Sequence, residues 1–136
     1  MGLRILVFDD DKPICDMLEQ ALTSKGHAVT TYVNPAEFPF FNEHKCPCPI
    51  DDPCADILIT DIVMPEIDGL DFFKQLKKAG CRPLVNGNVA IMSGHLTLHS
   101  MGEFNQLGIH CFRKPLEINE ICHWVDECAH RNRSAS

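Results

Sequence analysis

The feature that most constrains this chain is a local pattern repeated along its length. A short apolar run stops abruptly at a charged or hydroxyl residue, and a segment of helical periodicity follows. Leu3–Phe8 (LRILVF) stops at Asp9, Asp10 and Asp11, and Asp56–Asp61 (DILITD) ends in an acid. Asn88–Ser93 (NVAIMS) ends in a hydroxyl, and Ile109–Arg113 (IHCFR) ends at Lys114-Pro115. His27–Val33 (HAVTTYV) is closed by Asn34-Pro35. Runs of this length, rich in β-branched residues and bounded by turn formers, are strands.

Between them lie helices. Lys12–Lys25 carries Ile14, Leu18, Ala21 and Leu22 at helical spacing. Asp11 is placed as its N-cap, Pro13 in its first turn and Gly26 at its stop. Asp68–Ala79 has Leu70, Phe73 and Leu76 before Gly80. Leu96–Leu107 is a weaker helical pattern. Glu117–His130 aligns Ile118, Ile121, Cys122, Val125 and Cys128 on one face. Strands alternating with helices predict a doubly wound α/β fold, a five-stranded parallel sheet with helices on both faces. A chain of 136 residues suits one such domain. Residues 1–130 are assigned to it, and Arg131–Ser136 to a disordered tail.

Composition removes several function classes. Nineteen acids against 12 bases give a net charge of -7, which is wrong for a nucleic-acid backbone binder. The longest stretch free of Asp, Glu, Lys and Arg, Pro83 to Gly102, holds Asn86, Asn88, Ser93, His95, Thr97 and His99. It is not a membrane span. The acids at Asp9 leave no room for an export signal, and Leu6 breaks a myristoylation pattern after Gly2. The expectation is a cytoplasmic protein with reduced cysteines, making contact with neither nucleic acid nor membrane. Eight cysteines in a chain this long do not make a disulfide scaffold.

Ligands of an open parallel sheet bind outside the carboxyl ends of its strands. Those ends carry Asp9, Asp10, Asp61, Ser93 and Lys114. Carboxylates crowded together raise one another's pKa unless a cation joins them. A hard divalent ion, Mg²⁺ (or Mn²⁺), suits oxygen ligands. Such a site could hold a phosphoryl group, with metal and lysine on its oxygens, the serine hydrogen-bonded to it and one Asp as nucleophile.

The blocks ILVFDDD, LITDIVMPEIDGLDFF, VAIMSGH and FRKP, in this order, resemble the receiver domain of bacterial two-component response regulators, of the chemotaxis-type single-domain kind. The resemblance covers about residues 3 to 130. It implies a flavodoxin-like sheet of strand order 2-1-3-4-5. Asp61 matches the phosphoacceptor. Asp9 and Asp10 match the pair that holds Mg²⁺ together with Asp61 and the backbone carbonyl of Val63. Ser93 matches the switch hydroxyl, Gly94 a position kept small for phosphodonors, and Lys114 the lysine that pairs with the phosphoryl group. The Lys114–Pro115 bond is expected to be cis. The implied function is a phosphoacceptor switch, phosphorylated by a sensor histidine kinase or phosphotransfer protein. A downstream protein would be read through the fourth helix, fifth strand and fifth helix. The chemistry would be self-catalysed phosphorylation and dephosphorylation, not turnover of a substrate.

Three places depart from the family pattern. Cys111 stands where a switch aromatic is usual, with Phe112 beside it. Val63 and His95 occupy positions that tune acyl-phosphate hydrolysis. Apolar Val63 offers no group to orient water, so a long-lived phosphoryl group is expected, and a half-life of a few seconds would contradict it. The third is the loop HKCPCPIDDPC. His44, Cys46, Cys48 and Cys54 are enough ligands for tetrahedral zinc, but the Cys-Pro-Cys spacing is not that of a zinc knuckle. Metal site, redox pair and plain loop stay open there.

Two other classes compete with the receiver. A Mg²⁺-dependent phosphohydrolase with an Asp nucleophile usually puts that Asp on the first strand and needs a cap. A metal- or redox-sensing module would use the Cys46–Cys54 loop as its input. Cys15, Cys122 and Cys128 are read as core. His27, His99, His110, His123 and His130 are read as surface residues. Leu98, Met101 and Phe104 are either a docking patch or loose core.

Overall fold

The structure is a computed structural model that describes residues 2–33, 55–61, 63–64, 67–68, 74, 78, 86–94 and 98–134. Five strands, β1 (Arg4–Phe8), β2 (Ala28–Tyr32), β3 (Ile57–Asp61), β4 (Val89–Ser93) and β5 (Ile109–Arg113), form one sheet. Every pairing is parallel and the order is β2-β1-β3-β4-β5. Among the described residues, three helices run unbroken: α1 (Lys12–Ser24), α2 (Leu98–Gln106) and α3 (Ile118–Ser134). The doubly wound α/β fold and its 2-1-3-4-5 order are therefore as the sequence implies.

Strands buried on both faces should be apolar throughout, and β3 and β4 are buried at all five positions. One face carries Ile5, Val7, Ile57, Ile59, Ala90, Met92 and Phe112 in a single cluster with α1 and α3. Cys15, Leu18 and Leu22 come from α1, and Ile121, Val125 and Cys128 from α3. Cys15, Cys122 and Cys128 are thus core residues. α2 packs against β5. It buries Phe104 while leaving Leu98 86% exposed, so its apolar residues divide between core and surface.

Helix ends differ from expectation in informative ways. Asp11 stands at the N-cap of α1, but its side chain makes no capping bond. Its backbone carbonyl accepts from Ile14 and Cys15 instead. Gly26 closes that helix at φ 94, a conformation cheap only for glycine. Asp68, assigned as the first residue of a helix running to Ala79, lies in a strand instead. Val63–Met64 and Ile67–Asp68 form a two-residue antiparallel pair with Val63 opposite Asp68, as β-branched Val63 and Ile67 favour extended backbone. Lys74 and Lys78 are helical.

The tail assignment is corrected from Arg131. α3 runs through Ser134, because Arg-Asn-Arg contains no helix breaker and Arg131 is held. Its guanidinium donates to Gly87 O at 3.1 Å, Asn88 Oδ1 at 2.9 Å and Cys128 Sγ at 3.1 Å.

The amino ends of the strands are closed by such contacts. His27, read as a surface residue, is buried, and its Nδ1 accepts from Leu3 N at 3.0 Å. Asp56 Oδ2 accepts from Arg4 N at 2.9 Å. Asn88 O accepts from Leu58 N at 3.1 Å.

Candidate functional site at the carboxyl rim

Sheet register assembles the opposite rim. Phe8 pairs with Thr60, so the next residues, Asp9 and Asp61, stand side by side. Asp61 pairs with Met92 and Ser93 with Arg113, which brings Ser93 and Lys114 to the same edge. Lys114 N donates to Ser93 O at 2.8 Å. The Lys114–Pro115 bond is cis.

Lysine 114 bridges two acids. Its Nζ lies 3.1 Å from Asp61 Oδ2 and 3.2 Å from Asp9 Oδ2. Asp9 is fully buried and Asp61 nearly so. Asp9 Oδ1 accepts from Asp11 N at 2.8 Å. Asp9 Oδ2 is buried without an aligned hydrogen bond, despite its closeness to the ammonium. Carboxylate oxygens of Asp9, Asp10 and Asp61 all lie within 4.8 Å of one another. A buried, unsatisfied carboxylate oxygen is expensive. Here it sits in a nest of hard oxygen donors, the set that Mg²⁺ prefers. The residues present therefore fit a divalent cation held by Asp9, Asp10 and Asp61.

The electrostatics agree. Burial is the main cause that pushes the Asp9 carboxyl up to about 6, and the neighbouring Asp61 charge adds to it. The hydrogen bond from Asp11 and the Lys114 charge only partly offset this. Burial alone would lower Lys114, but its hydrogen bond to Asp61 and the charges of Asp9 and Asp61 outweigh it and hold the ammonium above its ordinary value.

Two supporting contacts escaped sequence reasoning. Cys15 Sγ donates to Asp9 O at 3.2 Å, and burial pushes that thiol up to about 11. Thr60 Oγ1 donates to Asp61 O at 3.0 Å. A hydroxyl inside the apolar run ILIT was the available sign for Thr60. Nothing local marks Cys15.

Gly94 is exposed, and a Cβ built there meets no atom within 4 Å. Cys111, at the switch-aromatic position, is half-buried opposite Ile91, and burial raises its thiol pKa. Val63 lies in the short antiparallel pair. His44, Cys46, Cys48, Cys54 and His95 lie outside the described residues.

Comparisons with known proteins converge on one family. The model for the response regulator receiver domain matches residues 5–126. The DNA-binding transcriptional regulator NtrC of Azospirillum brasilense is 32% identical over 129 residues, 94% of this chain and 24% of the relative. NtrC of Escherichia coli K12 is 33% identical over 123 residues, 90% of this chain and 24% of the relative. The chain thus spans about a quarter of the length of these curated relatives. Among solved structures, a response regulator receiver domain protein from Clostridium thermocellum superposes with a TM-score of 0.77 at 23% identity, covering 100% of both chains. The Francisella response regulator 1452 receiver domain gives 0.76 at 24% identity, covering 96% of this chain and 99% of the other.

Proposed function

The chain belongs to the response regulator receiver domain family of two-component systems, and on that premise we propose that Asp61 is its phosphoacceptor. The observation that carries this reading is Lys114 Nζ at 3.1 Å from Asp61 Oδ2 and 3.2 Å from the buried Asp9 Oδ2, which pairs with the ammonium but lacks an aligned hydrogen bond. Receiver domains take their phosphoryl group from histidine kinases or phosphotransfer proteins. In the proposed reaction an Asp61 oxygen attacks the phosphorus of a phosphohistidine. The phosphorus–nitrogen bond breaks, the imidazole leaves with its electron pair, and an acyl phosphate forms.

Lys114 stays charged and supplies a cation at the oxygens of the group being transferred. Ser93, at the end of β4, offers a hydroxyl to the acyl phosphate. Asp9 and Asp10, with Asp61 and the Val63 carbonyl, would hold Mg²⁺, which when bound neutralises phosphoryl charge. Gly94 leaves the approach open.

The readout follows from Ser93, the last residue of β4, and Lys114, the residue after β5. A shift of Ser93 towards the acyl phosphate would bias the surface made by α2, β5 and α3, where a downstream protein would bind. With Cys111 in place of an aromatic ring, that coupling does not depend on an inward-turning ring. We place the protein among switches whose only chemistry is their own phosphorylation and dephosphorylation. The curated relatives are longer than this chain and give no support to the narrower single-domain reading. No helix among the described residues is long and apolar enough to cross a membrane.

Incubation with Mg²⁺ and acetyl phosphate tests the assignment. The expected result is one phosphoryl adduct by intact mass, absent in Asp61→Asn. Turnover of a small phosphate ester that persists in Asp61→Asn would instead favour the phosphohydrolase.

A further inference from the structure

A second concavity lies on the flank of the sheet, between the amino end of β5 and α3. It encloses about 430 Å³, and His110, Phe112, Glu120, Trp124, Glu127 and Arg131 are among its walls. The wall from β5 is aromatic. His110 packs edge-on to Phe112 at 4.6 Å and stacks on Trp124 at 5.9 Å between centroids. Phe112 meets Trp124 edge-on at 5.8 Å. His110 is exposed on the strand, partial desolvation lowers its pKa from the ordinary value, and its ring adds a π-face to the wall.

The wall from α3 is acidic. Glu120 makes no ion pair among the described residues, and Glu127 lies 3.0 Å from His123 Nε2. Arg131 is bonded to the neutral Gly87 O and Asn88 Oδ1 and keeps its charge, which offsets one of the two carboxylates and leaves the other unmatched. Carboxylates over a neutral aromatic floor favour a cation, and a planar guanidinium can stack and pair at once where an ammonium cannot. The net charge of -7 adds long-range attraction for a basic partner.

We propose that this groove is the anchor point for a partner protein that inserts an arginine side chain between the His110–Trp124 stack and the Glu120 and Glu127 carboxylates. The inference rests on the reading of α2, β5 and α3 as the output surface and specifies the chemistry of what binds there.

The chain has one tryptophan, Trp124, so intrinsic fluorescence reports on this groove alone. The full chain is titrated in MgCl₂ with blocked Ala-Arg-Ala, and with the same peptide carrying lysine or citrulline. A saturable emission change is expected. Affinity for the arginine peptide should exceed that for the citrulline peptide about fivefold, with lysine between them, and should fall with added salt. Glu120→Gln/Glu127→Gln should abolish the preference while phosphoryl uptake at Asp61 persists, which shows that the variant is folded. Equal response to citrulline, or a response that survives in the double variant, overturns the proposal. So does a concentration-dependent emission change without peptide, which would make the occupant a second copy of this chain. Loss of phosphoryl uptake in the unmodified chain, with arginine preference intact, would instead overturn the receiver reading and leave this groove standing.

Discussion

The two ends of the sheet treat polar groups in opposite ways. At the amino end, His27, Asp56, Asn88 and Arg131 are each matched to a backbone or side-chain partner at 2.9–3.1 Å. Their polarity closes strand starts. At the carboxyl end, Asp9 and Asp61 share one lysine, and a buried oxygen of Asp9 lacks an aligned hydrogen bond. A fold that satisfies one rim and leaves the other short of cations stores an unmet electrostatic demand where a ligand can meet it.

The contrast breaks most sharply at Asp9. Asp9→Asn is expected to weaken Mg²⁺ binding by more than about tenfold, measured by calorimetric titration. The same variant should be more stable than the unmodified chain without metal. The folded-state pKa of about 6 lies above the ordinary carboxyl value of 3.8. The native state therefore holds its proton more tightly, and metal-free stability falls as pH rises from about 4 to about 6. At neutral pH, removing that charge is worth on the order of 2 kcal/mol by urea unfolding. A destabilised Asp9→Asn would show that Lys114 alone already satisfies this rim.

Arg131→Ala probes the satisfied end and should act with the opposite sign. It strips a donor from buried Asn88, at a cost of about 1–2 kcal/mol in the same unfolding assay, with Mg²⁺ affinity unchanged. A shift in Mg²⁺ affinity would mean that the two ends are not independent.

The smallest effect is expected at His27. Burial lowers its pKa, so the unfolded chain takes up the proton first as pH falls below the ordinary histidine range. Stability should then drop as pH falls through and below about 6.5. In His27→Gln, which keeps an acceptor for Leu3 N, that part of the drop should vanish from thermal melts. An unchanged pH profile would locate the sensitivity at another group.

The carboxyl rim was legible in the sequence and the amino rim was not, for a physical reason. An apolar run ending in Asp61 or Ser93 is a local signal, and parallel topology converts strand ends into neighbours without further information. The Arg131–Asn88 contact spans 43 positions and depends on α3 outlasting its apolar stripe. His27 looked like a surface histidine because nothing near it in sequence announces Leu3 as its donor. The strand at Ile67–Asp68 was hidden because a two-residue pair carries too few residues to show periodicity.

Strand β4 gains a mechanical meaning from these contacts. At one end Arg131 grips Asn88, just ahead of the strand, and at the other Ser93 faces the acidic rim. Four buried residues, Val89 to Met92, lie between the two, a span of about 17 Å. Because side chains alternate faces along a strand, a slip of one residue would carry Ser93 to the wrong side of the sheet. The ladders to β3 and β5 hold the strand in the setting that presents the hydroxyl, and the guanidinium adds a side-chain tie at its start.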